Sequence, residues 1–365
     1  MDLIYWFFLI SNGFYLCLLL LVFAGLRMLK IKNKTNYPKI SIVIAARNEE
    51  MRIAPAIHSI LNLNYPVDKF EVIWVDDAST DNTAKIIERH VKEQKNWKLI
   101  LLDEKSTSLR GKKKALKSGI DQAKGELIFT TDADCEVPPD WLMIMSSYFD
   151  DHTSMVLGHS PLTGLKGFLG RILEFDNLFS AVVTAAPTKL GFPMSSIGRN
   201  LSYRKSVYAD IGGYDALKKF RSGDDVHLTE RFRRKDGGKI DYCAHPATFV
   251  STKPPITRKE IFHQQVRKNS KTLKKSLPSV LLSTVLFFYF IILIIFPFLN
   301  SNWLVLWLAL LAIKFGAELV TLIKACFIFR KKELIPYLPL MQIVYPGYVI
   351  IFSLLGALQI YEWKK

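Results

Sequence analysis

Cysteine is scarce in this chain, and what there is forms no pair. The 365 residues include four, Cys17, Cys135, Cys243 and Cys326, with no C-x-x-C spacing and with two of them inside apolar stretches. Neither a zinc site nor a disulfide framework is indicated, and a reduced, cytosolic compartment fits the soluble part. Acidic residues are also short, with 33 Asp and Glu against 49 Lys and Arg and a formal net charge of +16. Such a surplus suits anionic lipid headgroups, phosphorylated substrates or nucleic acid. Placement decides among them, because the densest basic clusters, residues 27–34, 258–275 and 330–332, flank apolar segments. The membrane is the expected partner; nucleic acid is not, and no obligatory protein partner is inferred.

Charge is absent altogether from residues 3–26, an apolar stretch long enough to cross a bilayer as a helix. A secretory signal carries positive charge before its apolar run and a small-residue cleavage site after it, whereas here Arg27, Lys30, Lys32 and Lys34 follow the run. It therefore reads as a spanning anchor with a cytoplasmic exit. Half of the chain (50%) is hydrophobic, and three further apolar segments close it at 277–299, 303–329 and 335–360. The expectation is a multi-pass protein of a bacterial inner membrane with its polar domain in the cytoplasm. Pro336, Pro339, Pro346 and Gly347 leave the last segment open to a re-entrant, broken course. Lys314 and Glu318 lie four residues apart in the segment before it, where an ion pair is the favoured reading and an acceptor-channel role the alternative. The basic stretch 256–276 is expected to be an interfacial helix on the anionic leaflet.

Between residues 38 and 250 short apolar strands alternate with amphipathic helical stretches, the pattern of a parallel α/β sheet. Residues 40–45, 70–75, 98–102 and 127–131 read as strands, and 49–63, 82–93 and 112–123 as the crossover helices. Three strands end in charge: Arg47-Asn-Glu49, Asp76-Asp77, and Asp132 with Asp134. Ligands of such sheets bind at the C-terminal strand ends. Asp132 and Asp134, one residue apart after a buried run, can point to one side, and their oxygen-only donors suit Mg²⁺ or Mn²⁺ rather than zinc. Residues 167–186 read as an amphipathic helix with Arg171, Glu174 and Asp176 on its polar face. Packing on the sheet is expected for it, with a position at the membrane interface as the alternative.

The ordered motifs resemble those of the membrane-bound inverting glycosyltransferases of family 2, over residues 38–268. Ser41-Ile-Val-Ile-Ala-Ala-Arg-Asn-Glu-Glu50 is similar to the family's opening strand and nucleotide loop, and Val75-Asp-Asp-Ala-Ser-Thr80 to its second. Gly111-Lys-Lys-Lys-Ala-Leu116 resembles the basic turn near the diphosphate, and Thr131-Asp-Ala-Asp134 the metal-binding D-x-D motif. Gly198-Arg-Asn-Leu-Ser-Tyr-Arg204 with Gly212-Gly-Tyr-Asp215 looks like the acceptor-side segment, and Ser222-Gly-Asp-Asp-Val-His-Leu228 like the motif that supplies the general base.

The resemblance implies a GT-A fold, a Rossmann-like α/β domain that binds nucleotide sugars, at 38–250, followed by the interfacial and transmembrane helices. It implies Asp225 as general base with Asp224 orienting it, and Asp132 and Asp134 as ligands of Mn²⁺ or Mg²⁺. Ala45, Arg47, Glu49, Asp76, Asp77, Lys112, Asp132, Gln264 and Arg267 would bind the nucleotide sugar, expected to be UDP-linked. Gly198, Asn200 and Arg204 would line the acceptor side. Processive members carry Q-x-x-R-W, where this chain has Gln264-Gln-Val-Arg-Lys268. Loss of that tryptophan points away from a polymerase and towards a lipid acceptor. A polysaccharide synthase is the runner-up, and a non-catalytic nucleotide-sugar-binding membrane protein a further alternative.

Overall fold

In a computed structural model the described residues are 3–32, 37–103, 109, 111–220, 223–235, 238–254, 257–270, 277–358 and 360. Along the chain they form α1 (Leu3–Arg27), β1 (Ile40–Ala46), α2 (Ile53–Leu61), β2 (Phe70–Asp77), α3 (Thr83–Glu93), β3 (Trp97–Leu102), α4 (Lys112–Gln122), β4 (Leu127–Asp132), β5 (Cys135–Glu136), α5 (Trp141–Ser146) and β6 (Thr153–Gly158). There follow α6 (Gly167–Lys189), β7 (Leu201–Arg204), α7 (Lys205–Asp210), α8 (Asp224–Arg234), β8 (Lys239–Cys243), β9 (Ser251–Thr252), α9 (Arg258–Ser270), α10 (Leu277–Ile295), α11 (Leu304–Ile328) and α12 (Leu338–Ala357). They group into a sheet unit (Leu29–Thr163 and Thr188–Lys253) and a helical unit (Met1–Met28, Gly164–Pro187 and Pro254–Lys365). Of the predicted basic features, residues 33–36, 271–276 and 361–365 lie outside the described residues, as does Ser222.

In the sheet unit seven strands lie in the order β3-β2-β1-β4-β7-β6-β8. β1, β2 and β4 are rich in Ile, Val and Phe and are buried along nearly their whole length, as strands covered on both faces must be. β1 pairs in parallel with β2 and β4, and β2 with β3, as expected. The other half departs from a parallel sheet: β7 runs antiparallel to both β4 and β6. The chain passes from β6 to β7 through α6, which groups up to Pro187 with the helical unit.

Helix α4 seats directly on β1 and β2. A Cβ at Gly119 would come within 2.4 Å of Val43 Cγ1 and 3.0 Å of Val75 Cγ2. At the edge of the unit Lys32, expected to flank the membrane, is bound instead to carboxylates, 3.0 Å from Asp241 and 3.6 Å from Asp150.

In the helical unit α1, α11 and the segments Ser279–Phe298 and Lys332–Ala357 are long and apolar enough to cross a membrane. The Lys314–Glu318 pair read from the sequence is present at 2.7 Å, with the Tyr15 hydroxyl donating to Glu318. α12 runs unbroken through Pro346. α6 corrects two expectations: it belongs to this unit rather than to the sheet layer, and Glu174 and Asp176 are buried. Glu174 is bound by Arg171 at 2.7 Å and Lys331 at 3.2 Å. Asp176 is bound by Lys268 at 2.6 Å and by the Tyr345 hydroxyl at 3.0 Å. A buried carboxylate persists only when paired in this way.

Gly119→Ala is expected to destabilise the protein by about 1–3 kcal/mol, the usual cost of overpacking a core, although alanine favours an isolated helix by up to ~1 kcal/mol. Thermal unfolding in detergent checks the sign, with Gly13→Ala on α1, where an added Cβ meets nothing within 4 Å, as the unchanged control.

Candidate active site at the strand ends

The parallel register sets Ala46 beside Asp76 and Ala45 beside Asp132, so β1, β2 and β4 end level with one another. Neighbouring connections diverge between β1 and β4, which makes this crevice the switch point at which open α/β sheets hold ligands. The loops leaving β1 and β2 are stitched together above it. Asn48 and Ala78 both take left-handed backbone conformations, at φ 54° and 55°. The Asn48 amide donates to Ser79 Oγ at 3.0 Å, and its side-chain oxygen accepts from the Thr80 amide at 2.9 Å. The Glu49 amide donates to Thr83 Oγ1 at 2.8 Å, and the Glu50 carboxylate accepts from the Asn82 amide at 2.9 Å. Because these groups serve the second loop, α2 starts at Ile53 and not at the predicted Glu49.

Asp76 accepts from the Ser79 amide at 2.9 Å and hydroxyl at 2.5 Å, and Asp77 faces the Arg47 guanidinium at 3.6 Å. The structure thus brings Ala45, Arg47, Glu49, Asp76 and Asp77 to one rim. Asp132, Asp134 and Cys135 follow on the next strand end, each offering a ligand atom within 4.8 Å of the others.

Lys112, at the start of α4, places its ammonium on Asp132. Partial desolvation opposes ionisation of Asp132, but Lys112 and, more weakly, Arg199 outweigh it and hold the carboxyl below its usual range. Burial, with Asp132 and Asp134 beside it, pushes the Cys135 thiol well up, and its Sγ donates to Asp134 at 3.5 Å. The thiol is a soft donor beside two hard ones, and hard cations prefer the oxygens. What remains for a cation is carboxylate oxygen at a position that already draws an ammonium, and this donor set fits Mg²⁺ or Mn²⁺.

The antiparallel register delivers the opposite side of the site. It sets Leu201 beside Thr130 and Arg204 beside Leu127, so the residues just before β7 stand at the charged end of β4. Gly198 is among them: its carbonyl accepts from Thr130 Oγ1 at 2.9 Å and its amide donates to Asp225 Oδ2 at 3.1 Å. One residue therefore links the strand of Asp132 to Asp225. Asp224 and Asp225 form the first turn of α8, where the helix dipole favours carboxylates.

Two residues predicted for the acceptor side are placed otherwise. Asn200 is fully buried, accepting from Trp141 Nε1 at 3.0 Å and donating to the carbonyls of His159 and Thr248 at 2.7 and 2.8 Å. Arg204 lies at the far end of β4, its guanidinium on the carbonyls of Thr153 and Asp150 at 3.0 and 2.8 Å. Gln264 and Arg267 lie on α9, in the helical unit.

Sequence reasoning passed over Arg199 and Lys113. Arg199 Nε donates to Ser160 Oγ at 2.6 Å, and its charge is felt at Asp132. Lys113 looked like one of a solvated run but is buried, 3.5 Å from Asp224. No periodicity distinguishes it from Lys112 and Lys114.

Residues 41–212 match the family model described as Glycosyl transferase family 2. The chain is 27% identical over 242 residues to the probable glycosyltransferase YdaM of Bacillus subtilis (strain 168), covering 65% of this chain and 56% of that protein. It is 30% identical over 180 residues to the poly-beta-1,6-N-acetyl-D-glucosamine synthase of Staphylococcus aureus (strain COL), with coverage of 48% and 42%. It is 36% identical over 122 residues to the beta-monoglucosyldiacylglycerol synthase of a Nostoc species, with coverage of 33% and 26%. The chain thus spans about half the length, or less, of these curated relatives. Its fold is shared with the mannosyltransferase PcManGT from Pyrobaculum calidifontis in complex with GDP-Man and Mn2+, at TM-score 0.59 and 20% identity over 98% of this chain and 99% of that one. Residues 41–212 thus match glycosyl transferase family 2, on a fold shared with that mannosyltransferase.

Proposed function

We propose that this protein moves one sugar from a nucleotide sugar, expected to be UDP-linked, to a membrane lipid at the cytoplasmic leaflet, with inversion and with Mn²⁺ or Mg²⁺. One observation carries the reading: Lys112 is bound to Asp132, and Gly198 joins Thr130 of the same strand to Asp225, accepting from the first at 2.9 Å and donating to the second at 3.1 Å. This supports a common site for the predicted metal strand and the predicted base. A divalent ion on Asp132 and Asp134 would supply charge neutralisation for the departing diphosphate.

The chain's own residues account for the rest. Arg47, Asp76 and Asp77 stand on the rim where the nucleoside would lie. Lys112 and Arg199 provide positive charge on the leaving-group side. The acceptor oxygen attacks C1 of the sugar from the face opposite the diphosphate, the bond from C1 to the diphosphate oxygen breaks, and the acceptor's proton passes to the Asp225 carboxylate. Gly198 and the Val226 amide, at 3.1 and 3.0 Å, hold that carboxylate in place.

A lipid acceptor is supported by the four apolar helices, by Lys268 in the place of the processive tryptophan, and by the glycolipid named in the Nostoc relative. The polysaccharide named in the Staphylococcus relative favours the second reading, a processive synthase. Purified protein with donor and membrane lipid separates them: the first yields a single-sugar lipid and the second releases polymer.

Asp225→Asn is expected to leave donor affinity nearly unchanged and to lower turnover ~10²–10⁴-fold, the usual cost of losing a positioned base. Normal turnover in this variant, with Asp224→Asn inactive, would move the base to Asp224. Excess EDTA is expected to abolish transfer, and added Mn²⁺ or Mg²⁺ to restore it; full turnover in EDTA refutes the metal requirement. Lys85→Cys, on the exposed side of α3, should resist an impermeant thiol reagent in intact cells and react after lysis, as a cytoplasmic domain requires.

A further inference from the structure

We propose that Lys113 is a positioning residue, which fixes the start of α8, and so Asp225, by clamping Asp224 and the turn before it. The inference rests on the transferase reading above and adds to it a residue that neither the sequence motifs nor the relatives single out.

Lys112, Lys113 and Lys114 open α4, where the helix dipole disfavours positive charge. A lysine at such a position costs stability unless specific acceptors compensate it, and three in a row cost more. Two of the three are only partly covered, but the Lys113 side chain is 7% exposed. A buried ammonium is tolerated only when its three N–H donors are satisfied. Here three acceptors surround it: the Leu217 carbonyl at 3.2 Å, the Phe220 carbonyl, and Asp224 Oδ1 at 3.5 Å. All three belong to the segment that leads into α8 or to its first residue.

Successive helix residues point about 100° apart, so neighbouring lysines serve different partners. Lys112 turns to Asp132 and Lys113 turns to α8. The first turn of α4 is thus a bridge, with the leaving-group side on one lysine and the base side on the next. Asp225 adjoins Asp224 in the same turn, so holding one carboxylate and the turn before it sets the place of the other.

The test uses the full chain in detergent or nanodiscs, assayed by nucleoside diphosphate release from UDP-glucose, UDP-N-acetylglucosamine and GDP-mannose, and continued with whichever is turned over. Lys113→Met and Asp224→Asn should each lower kcat ~10- to ~100-fold, as couplings of this kind do, with the donor KM within about twofold of wild type. Binding of UDP with Mn²⁺ should keep its stoichiometry. Each single variant removes one side of the Lys113–Asp224 contact, so the unfolding midpoint should fall in both and recover in the double variant, Lys113→Met with Asp224→Asn. Turnover of the double variant should stay at the level of the single variants.

Recovery of turnover together with the midpoint would mean a purely structural pair and would overturn the proposal. So would a Lys113→Met variant with wild-type kcat, or one whose loss lies in donor KM. Lys92→Met on α3, whose side chain is 72% exposed and pairs with Glu88, is the control expected to keep full activity. Wild-type protein that turns over none of the three donors would overturn the transferase reading itself, an outcome distinct from active wild type with an unaffected Lys113→Met.

Discussion

Six carboxylates gathered at one edge of a sheet must be held apart or neutralised, and much of the architecture around the site follows from that constraint. Asp76, Asp77, Asp132 and Asp134 come from strand ends and Asp224 and Asp225 from a helix start. Left unpaired, neighbouring carboxylates share protons instead of staying ionised. Each has a specific partner: Ser79 for Asp76, Arg47 for Asp77, Lys112 for Asp132, Cys135 for Asp134, Lys113 for Asp224, and the Gly198 amide for Asp225. The partners come from the loops after β1 and β2, from the start of α4 and from the segment before β7. Those pieces can meet only because β1, β2 and β4 end level and β7 runs against them.

The first half of this arrangement is legible in the sequence. Apolar runs that stop at Arg47, Asp76 and Asp132 announce parallel strands with charged ends, and the helices between them announce the crossovers. The second half is not. β7 has four residues, too few for a periodic signal, and no local pattern records that it runs antiparallel to its neighbours. With direction unknown, the segment 198–204 could be placed near the site only as a whole. The register then divides it: Gly198 falls at the charged end, Asn200 in the core and Arg204 at the opposite end of β4. Lys113 was hidden for another reason, since a buried lysine inside a lysine run has the same letters as a solvated one.

The helical unit shows the same rule in apolar surroundings. The spacing places Glu174 and Asp176, with Arg171, on the polar face of an amphipathic helix. Both carboxylates are buried, and α6 is fixed to α9 and α12 through Lys268 and Tyr345. Lys268 is thus more than a missing tryptophan. Its ammonium also meets Ser180 Oγ at 2.7 Å, so the residue that departs from the processive motif has a structural task on α6. Lys314, Glu318 and Tyr15 likewise pair the charges they bring among apolar helices.

Exposure separates the two lysines at the start of α4. The Lys112 and Asp132 side chains are 41% and 32% exposed, and a pair so open to water is worth about 0–1 kcal/mol. An arriving diphosphate and divalent ion bring far more charge than that, so they can exchange partners with Lys112 at small cost. The Lys113 pair is the opposite case. The Lys113 side chain is 7% exposed, and its ammonium is held by the Leu217 and Phe220 carbonyls as well as by Asp224. On the proposed function, binding a charged donor would redistribute the contacts of the first lysine, while the buried contacts of the second would keep the start of α8 in place.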